Sequence, residues 1–368
     1  MSRSINAPVS GVHAAAYRIP TDAPEADGTF AWDATTLIVV HVRAADQTGV
    51  GYTYNDASVA ALIESLAKTA LEGQDCFDIP ARRLALQRAV RNFGRSGLAA
   101  CALSALDAAL WDLKAKLFDV ALATLLGRCH DSVPIYGSGG FTSYSDDKLR
   151  AQLEGWVERD GCRFVKMKIG SDKERDPERA RAARSAIGGA QLFVDGNGAF
   201  SVKQALRFVE ATRDCDIRWF EEPVTSDDQP GLRLMRERTP AGMAVAAGEY
   251  IFDIDDARAL LEAETVDVLQ ADVTRCGGIS GFLDVGALCE SHHIDLSGHC
   301  APSLHRHVAC AIQRLRHLEW FHDHVRIEHM LFDGAPKPEG GAVRPDLSRP
   351  GLGIEFKAKD AERFKVGD

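Results

Sequence analysis

Two lysines, Lys166 and Lys168, lie two residues apart inside the apolar stretch CRFVKMKIG, residues 162–170. Side chains at positions i and i+2 of a β-strand point to the same face, so both ammonium groups would share one side of a buried strand. Two like charges held together away from water are costly. We therefore expect other charged groups nearby that make this arrangement useful.

Further ionisable side chains recur along the chain at intervals of about one strand plus one helix. Each lies in or at the end of an apolar run, and the series is Asp195 with Asn197, Glu221 with Glu222, Glu249, Asp272, His299 and Glu319. Polar groups at the carboxyl ends of successive parallel strands converge on the mouth of a barrel, where such barrels carry their active sites.

Short apolar runs alternate with longer amphipathic stretches from about residue 131 onwards. The strand candidates, in chain order, are VPIYGSG, CRFVKMKI, QLFVDGNG, IRWFEEPV, MAVAAGE, VDVLQADV, IDLSGHC and HLEWF. Repeated strand-then-helix predicts a parallel sheet, and eight strands that close on themselves form a TIM-type barrel. The alternative is an open doubly wound sheet, although no Gly-x-Gly-x-x-Gly follows a first strand, which disfavours a dinucleotide site.

Asp195, Glu221 and Glu249 would come from three adjacent strands, where their carboxylates would repel one another without a cation. Oxygen donors without Cys or His suit a hard divalent ion, and Mg²⁺ is favoured over Zn²⁺. A single Asp at a strand end is more often a helix cap. Three carboxylates in register favour a metal site over three separate caps.

His299 and Asp272 end neighbouring predicted strands. A carboxylate that accepts a hydrogen bond from one ring nitrogen orients an imidazole and raises its basicity, so this pair is a candidate acid–base group. The alternative is a core histidine that is hydrogen-bonded to the backbone. The stretch LHRH, with His305 and His307, also resembles a metal-binding pair, but a structural role is favoured there.

The first third of the chain has a different pattern. Residues 36–45 and 49–55 predict strands of a small antiparallel sheet, and residues 56–72, 80–95 and 98–118 predict helices. The polar segment TDAPEADGTFAWDA, residues 21–34, contains Pro and Gly and predicts a mobile loop. The tail after HLEWF is rich in Pro and Gly and predicts an irregular strap.

The composition excludes several classes of protein. The 368 residues are 45% hydrophobic and carry a formal net charge of -10, and no basic run appears, which argues against nucleic-acid binding. No apolar run has signal-peptide character or the roughly 20 residues that span a bilayer. The nine scattered cysteines contain no Cys-x-x-Cys pair and predict reduced, mostly buried thiols, so we expect a cytoplasmic protein.

Taken together, the motifs resemble those of the enolase superfamily, specifically its mandelate racemase subgroup. The matching stretches are VKMKIG, VDGNGAF, WFEEPV, AAGEY, LQADVTRCGGIS, SGHCAPSLH and HLEWF, with SALDAALWDLKAK and PGLGIEF as supporting segments. The resemblance runs from about residue 10 to residue 356. The muconate-cycloisomerase branch has a lysine at the end of the sixth barrel strand, where this chain has Asp272, so the mandelate racemase subgroup fits better.

The resemblance implies an α/β fold, a modified TIM barrel of the (β/α)7β type with an N-terminal α+β capping domain. It implies a capping domain over residues 1–128 and a barrel over residues 129–330. Residues 331–368 would form a C-terminal strap that returns to the cap. Relatives are usually homo-oligomers, so we expect the same of this chain.

The resemblance also assigns roles to the candidate residues. One Mg²⁺ per subunit would be bound by Asp195, Glu221 and Glu249. Lys168 would be a base on one face of the substrate, and the His299–Asp272 dyad would act on the other face.

Further residues would complete the site. Lys166 would neighbour the substrate carboxylate and the metal, and it would help to lower the pKa of Lys168 into the range of a general base. Glu319 matches the family's electrophilic group. Asn197, Tyr52 and Tyr54 are candidate substrate-binding residues, although both tyrosines would alternatively pack inside the cap.

The activity that the resemblance implies is removal of the proton α to a carboxylate through an ene-diolate intermediate. An acid-sugar dehydratase is the favoured activity, by analogy with relatives. The alternatives are a racemase or epimerase, or a cycloisomerase, of a hydroxy or sugar acid. A remote alternative is a noncatalytic barrel that binds sugar acids.

Overall fold

A computed structural model describes residues 6–367 of the chain. Residues 1–5 of the predicted capping segment and residue 368 of the predicted strap lie outside the described residues. The fold consists of an N-terminal α+β unit, a closed parallel barrel and a C-terminal tail. The predicted boundaries between them, at residues 128 and 330, stay a prediction.

The N-terminal unit is a three-stranded antiparallel sheet with helices packed against it. The strands are β1 (Val9–Ala26), β2 (Ala31–Ala44) and β3 (Gln47–Tyr54), and the helices are α1 (Ser58–Ala70), α2 (Ile79–Ala89), α3 (Leu98–Leu117) and the short α4 (Leu122–Leu126). The central helix α3 packs closely on β3 because Gly49 and Gly51 present no side chain there. A Cβ atom on Gly51 would lie 2.1 Å from the carbonyl oxygen of Ala105.

The prediction of a mobile loop at residues 21–34 is wrong. Most of this segment belongs to the β-hairpin of β1 and β2, and β1 was not predicted at all. Pro20 and Pro24 are tolerated because β1 is an edge strand, and its register shifts between Pro20 and Glu25. The polar residues close the hairpin turn, where the Asp27 carboxylate accepts hydrogen bonds from the backbone N–H groups of Thr29 and Phe30.

The tip of this hairpin lies against the barrel mouth. A Cβ atom on Gly28 would approach the carbonyl oxygens of Ile169 and Gly196 to 2.6 and 2.7 Å, so only glycine fits there. Thr142, which follows the first barrel strand, donates its backbone N–H to the carbonyl of Ala26 at 2.8 Å. The cap therefore covers the barrel edge at which the predicted site residues lie.

Eight parallel strands form the barrel, and hydrogen bonding between the last and the first strand closes it. The strands are β4 (Val133–Gly139), β5 (Phe164–Lys168), β6 (Gln191–Asp195), β7 (Ile217–Glu221), β8 (Ala244–Ala247), β9 (Val268–Ala271), β10 (Asp295–Gly298) and β11 (Leu315–Phe321). This closure confirms the predicted TIM-type barrel with an N-terminal antiparallel-sheet domain and rules out the open doubly wound sheet.

A helix follows each barrel strand and packs outside it. These helices are α5 (Asp146–Glu158), α6 (Asp176–Ala186), α7 (Val202–Ala211), α8 (Gln229–Arg238), α9 (Ile254–Glu262), α10 (Gly278–Ser291), α11 (Pro302–Val308) and α12 (His322–Leu331). Capping side chains stabilise the first turn of several of these helices. For example, Ser201 and Gln204 form a reciprocal capping box at α7, and Asp228 caps α8.

An apolar layer fills the barrel beneath the mouth. Its fully buried side chains include Tyr136, Phe193 and Trp219, and the rings of Phe193 and Trp219 stack with centroids 5.3 Å apart. The Lys166 Nζ lies 5.3 Å from the centre of the Tyr136 ring. The charged residues above therefore sit on a floor of low polarity, which strengthens the electrostatic interactions among them.

The C-terminal tail contains β12 (Phe332–Asp333), β13 (Ala342–Val343), β14 (Glu355–Phe356) and α13 (Ala358–Ala361). It contacts the N-terminal sheet, since Val366 donates its N–H to the carbonyl of Ala16. Asp112 of α3 ties the tail to the cap. Its buried carboxylate accepts hydrogen bonds from the backbone N–H groups of Val50 and Leu352, at 2.7 and 2.6 Å.

Cysteine chemistry and membrane insertion were also predicted from the sequence. All nine cysteines are free thiols, and only Cys129 is exposed. Among the described residues, no helix is both long enough and apolar enough to cross a membrane.

We expect Asp112→Ala to lower the free energy of unfolding by about 3 kcal/mol, because two buried N–H groups lose their acceptor. Urea denaturation of the purified protein measures this change. Asp131→Ala, which removes a carboxylate that is 84% exposed, is the matched control and should change stability by less than about 0.5 kcal/mol. Equal stabilities of the two variants would contradict the anchoring role of Asp112.

Candidate active site

The predicted ionisable residues meet at the carboxyl ends of the barrel strands. Strand pairing places Lys168, Asp195 and Glu221 side by side on β5, β6 and β7. All of the predicted catalytic and metal-binding residues are buried, and His299, Lys168 and Glu249 keep the largest exposed fractions, 6%, 5% and 5%. Charged groups at such depth require partners, and the contacts below supply them.

Lys166 is the most enclosed of these groups, with no exposed surface. Its Nζ lies 2.5 Å from Glu221 Oε1, 2.8 Å from Glu319 Oε1 and 3.3 Å from Asp195 Oδ2. Burial lowers the pKa of this lysine, but the surrounding carboxylates outweigh burial and hold the pKa well above its usual value. Lys166 is therefore a fixed positive charge in the centre of the site.

Lys168 donates to Asp195 Oδ2 at 2.5 Å, because the two residues are paired across β5 and β6. Burial lowers the pKa of Lys168, and Lys166 lowers it further, as the sequence predicted. Asp195 and Glu249 act in the opposite direction and prevail, so the pKa is raised. The predicted lowering included the effect of a bound Mg²⁺, so it stays a prediction.

Glu221 is held in place by donors that the sequence analysis missed. The indole Nε1 of Trp219 and the amide Nε2 of Gln270 both donate to Glu221 Oε2, at 2.9 and 3.0 Å. Burial and the negative charge of Asp195 raise the pKa of Glu221 to about 8. Gln270 lies in the quoted stretch LQADV, so its position at a strand end was the available signal.

The carboxyl groups at the mouth outnumber the cations. The carboxyl groups are Asp195, Glu221, Glu222, Glu249, Asp272 and Glu319, and the cations are Lys166, Lys168, Arg275 and protonated His299. Six against four would leave an excess of two negative charges if all of these groups were ionised, and burial together with this excess raises the pKa of Glu221 and of Glu222. A bound divalent cation would balance that excess.

Two buried oxygen atoms at the mouth have no hydrogen-bond partner among the described residues, namely Glu222 Oε1 and Asn197 Oδ1. Glu222 directly follows β7 and Asn197 lies two residues after β6, and both adopt left-handed backbone conformations, with φ of 36° and 43°. An all-oxygen donor set of carboxylates with unpaired oxygens beside it fits a hard ion such as Mg²⁺. The residues present therefore suit the metal that the sequence predicted.

His299 and Asp272 form the predicted pair. The Nδ1 atom of His299 lies 2.9 Å from Asp272 Oδ2, and Asp272 Oδ1 accepts from the N–H and the hydroxyl of Thr274, both at 2.7 Å. The other ring nitrogen, Nε2, faces Glu249 Oε2 at 3.0 Å. Burial lowers the pKa of His299, but Cys300 and the surrounding carboxylates outweigh burial and raise the pKa above its usual value. The alternative of a core histidine bonded to the backbone does not apply.

Glu319 links the two halves of the mouth. Its Oε1 accepts from the Ser138 hydroxyl at 2.6 Å and contacts Lys166, and its Oε2 accepts from the backbone N–H of Cys300 at 3.1 Å. Ser138 and Cys300 were not selected from the sequence, although each lies at the end of a predicted strand run, VPIYGSG or IDLSGHC.

The two tyrosines of β3 lie in different surroundings. Tyr52 is fully buried, and its hydroxyl donates to Glu328 Oε1 at 2.6 Å, so the structure does not bring it into the site. The buried hydroxyl of Tyr54 has no partner among the described residues. The Tyr54 ring stacks on His324 with centroids 3.6 Å apart, and His324 Nδ1 is likewise unpaired. Of the two tyrosines, therefore, only Tyr54 has a hydroxyl without a partner among the described residues.

His305 and His307 are structural residues. His305 Nε2 accepts from the backbone N–H of Val273 at 3.1 Å, and His307 Nδ1 accepts from Ala123 at 3.3 Å. Burial lowers the pKa of both histidines, that of His307 to about 3, so both are neutral. Both ring nitrogens of His305 and Nδ1 of His307 bond to the backbone, which leaves no pair of free nitrogens for the metal-pair interpretation of LHRH.

Two family models match the chain. Residues 18–127 match the N-terminal domain of mandelate racemase / muconate lactonizing enzymes. Residues 148–361 match the enolase C-terminal domain-like model. The two matches together cover most of the cap, the barrel from β5 onwards and most of the tail.

Similar proteins and structures agree with these matches. A 3,6-anhydro-alpha-L-galactonate cycloisomerase from Streptomyces coelicolor is 30% identical over 364 residues, which are 95% of this chain and 98% of that protein. The structure of a mandelate racemase/muconate lactonizing enzyme-like protein from Rubrobacter xylanophilus has a TM-score of 0.95 and 50% identity, and covers 98% of this chain and 100% of its own.

An L-talarate/galactarate dehydratase from Salmonella typhimurium is 32% identical over 311 residues, which are 81% of this chain and 77% of that protein. The structure of a mutant L-talarate/galactarate dehydratase, liganded with Mg and L-glucarate, has a TM-score of 0.90 and 27% identity, and covers 100% of this chain and 95% of its own. The chain therefore belongs to the mandelate racemase/muconate lactonizing enzyme family of the enolase superfamily.

Proposed function

We propose that this protein is an Mg²⁺-dependent enzyme that removes the proton α to the carboxylate of a sugar acid, and that it acts as a dehydratase. The observation that carries the proposal is the position of two proton-transfer groups, Lys168 and His299, on either side of the carboxylates at the barrel mouth. Relatives named as sugar-acid dehydratases and cycloisomerases support this class of substrate.

Asp195, Glu221 and Glu249 are the residues that would hold the metal. Mg²⁺, when bound, supplies positive charge that stabilises the negative charge developing on the substrate carboxylate. Lys166 adds a permanent positive charge on the same side, held by Glu221 and Glu319. The apolar floor beneath Lys166 excludes water and so makes these electrostatic interactions stronger.

Lys168 and His299 transfer the protons. Lys168 ends the second barrel strand, β5, and His299 follows the seventh, β10. Around the barrel from β5 to β10, the strands between them carry the three metal-binding carboxylates, and Glu319 lies on the opposite arc, on β11. Asp272 holds His299 Nδ1, so Nε2 faces the mouth. In a dehydration, Lys168 in its neutral form takes the α-proton, and His299 protonates the β-hydroxyl as it leaves as water. The neutral form would be favoured once Asp195 and Glu249 hold the cation, because these two carboxylates raise the pKa of Lys168.

Free polar groups near the mouth favour a substrate with hydroxyl groups. Tyr54 and His324 each keep an unpaired polar atom although both are buried. A buried polar group without a partner is costly, so a substrate hydroxyl that bonds to one of them is strongly favoured over an apolar substituent. Asn197 Oδ1 is a further unpaired acceptor.

A cycloisomerase is the second candidate. The relatives from Streptomyces coelicolor and Agrobacterium fabrum, named as cycloisomerases, align over 98% and 96% of their lengths. A racemase or epimerase would use the same two groups, with one removing the proton and the other returning it. Binding without turnover is disfavoured because both Lys168 and His299 are present. Homo-oligomeric assembly and a cytoplasmic location stay predictions.

We expect Glu221→Gln to reduce turnover of sugar acids at least about 100-fold and to abolish the rise in melting temperature that Mg²⁺ produces. Activity assays and thermal unfolding with and without Mg²⁺ measure the two effects. Glu237→Gln, on the exposed face of α8, is the control and should keep both. Wild-type activity that persists in a chelator would overturn the metal dependence.

Proton exchange tests the two bases. Incubation of the wild-type enzyme with sugar acids in D₂O should exchange the α-proton, and Lys168→Ala and His299→Asn should each slow this step about 10²- to 10⁴-fold. Lys203→Ala removes an exposed lysine and should exchange normally. A keto-acid product marks dehydration, and exchange without it marks racemisation. Exchange at the wild-type rate in both variants would refute the assignment.

Tyr54→Phe tests recognition of substrate hydroxyls. The variant should raise KM for the preferred sugar acid about tenfold and leave KM for a short hydroxy acid unchanged, because only the longer substrate reaches the phenol. Tyr52→Phe is the matched control. It removes the bond to Glu328 and should lower the melting temperature without altering the ratio of KM values. The same ratio in both variants would contradict a role for Tyr54.

A further inference from the structure

A second cluster of metal-ligating atoms lies at the barrel mouth, beside the carboxylates proposed for Mg²⁺. It consists of His299 Nε2, Cys300 Sγ and Glu319 Oε2, and all three residues are buried. The distances between these atoms are 3.5 Å from nitrogen to sulfur, 3.3 Å from sulfur to oxygen and 3.5 Å from nitrogen to oxygen. The three donors therefore form a nearly equilateral triangle.

This triangle has the dimensions of one face of a tetrahedral zinc site. Zinc bonds of about 2.3 Å to sulfur and about 2.0–2.1 Å to nitrogen and oxygen give ligand–ligand separations of about 3.3–3.6 Å. The donor set of one thiolate, one imidazole and one carboxylate is typical for Zn²⁺ and unsuited to Mg²⁺. Three protein ligands leave the fourth position open to water.

Neighbouring residues hold the three donor side chains in place, as hydrogen-bond partners of the ligands do in zinc sites. Asp272 contacts His299 Nδ1, which keeps the proton on that nitrogen and directs the lone pair of Nε2 towards the cluster. The Glu319 carboxylate is anchored through Oε1 by Ser138 and Lys166, and its Oε2 contacts only the N–H and thiol of Cys300 and the ring of His299 among the described residues. Cys300 adopts a left-handed backbone conformation, with φ of 53°, which brings its N–H and thiol together onto Glu319.

We propose that His299, Cys300 and Glu319 form an inhibitory site for Zn²⁺ or a similar thiophilic ion, separate from the Mg²⁺ site. On binding, the Cys300 thiol and the protonated Nε2 of His299 each release a proton to water, and the ion replaces the contact between His299 Nε2 and Glu249 Oε2. His299 then cannot accept or donate a proton at Nε2. The ion therefore stops turnover without removing Mg²⁺.

Cobalt spectroscopy tests the site without reference to activity. With excess Mg²⁺ present, Co²⁺ added to the intact protein should produce a sulfur-to-cobalt charge-transfer band and strong visible bands of a tetrahedral ion, both bleached by Zn²⁺. Cys300→Ser should abolish the charge-transfer band. Cys129→Ser, which removes the exposed thiol, is the matched control and should retain it.

Inhibition provides the second measurement. Zn²⁺ should inhibit the Mg²⁺-loaded wild-type enzyme, and Cys300→Ser should require at least tenfold more Zn²⁺ for the same fractional inhibition, measured against the variant's own activity in Mg²⁺ alone. If Cys300→Ser fails to fold, Glu319→Gln should keep the sulfur band and weaken Co²⁺ affinity at least tenfold. Absence of the band from the wild-type protein, or its persistence in folded Cys300→Ser, would overturn the proposal. Neither result bears on the dehydratase assignment.

Discussion

Lys166 has no exposed surface, and it keeps its charge because Glu221 and Glu319 contact its Nζ from opposite sides. A buried ammonium group without such partners would be strongly destabilising. The same contacts fix the carboxylates, so the lysine organises the mouth as well as occupying it. Lys168 and Asp195 form a second buried ion pair, two residues further along β5, where the ends of β5 and β6 are paired. The geometry of the site thus depends on buried charges that balance one another.

The charge balance explains why the mouth suits both a cation and an acidic substrate. The carboxyl groups exceed the cationic groups, which favours a divalent ion, and Lys166 keeps a positive charge beside the place where a substrate carboxylate would bind. The aromatic floor of Phe193 and Trp219 lowers the local dielectric constant, so each charge acts over the short distances of the site with little screening. Removing any one partner leaves another charge buried and unpaired.

The cap and the tail complete the site from outside the barrel. The hairpin tip at Gly28 fits against backbone oxygens at the ends of β5 and β6, and Asp112 joins α3 to β3 and to the tail. The predicted mobile loop was an error of interpretation, since Pro and Gly are also tolerated in an edge strand and its turn. Strand β1 escaped prediction because its side chains are only partly buried and its apolar pattern is weak. An edge strand of this kind is stabilised mainly by its hydrogen bonds to the neighbouring strand, here β2.

The sequence by itself determined the barrel, the positions of its strands and the identity of the charged residues at the mouth. These features are local, because the strand-plus-helix period and the position of a residue at a strand end can be read along the chain. Only the tertiary structure decided which groups meet. Glu249 contacts His299, Tyr54 keeps a free hydroxyl whereas Tyr52 bonds to Glu328, and Cys300 lies beside Glu319. These contacts depend on the stagger of the barrel strands and on the docking of the cap, which distant parts of the chain establish together.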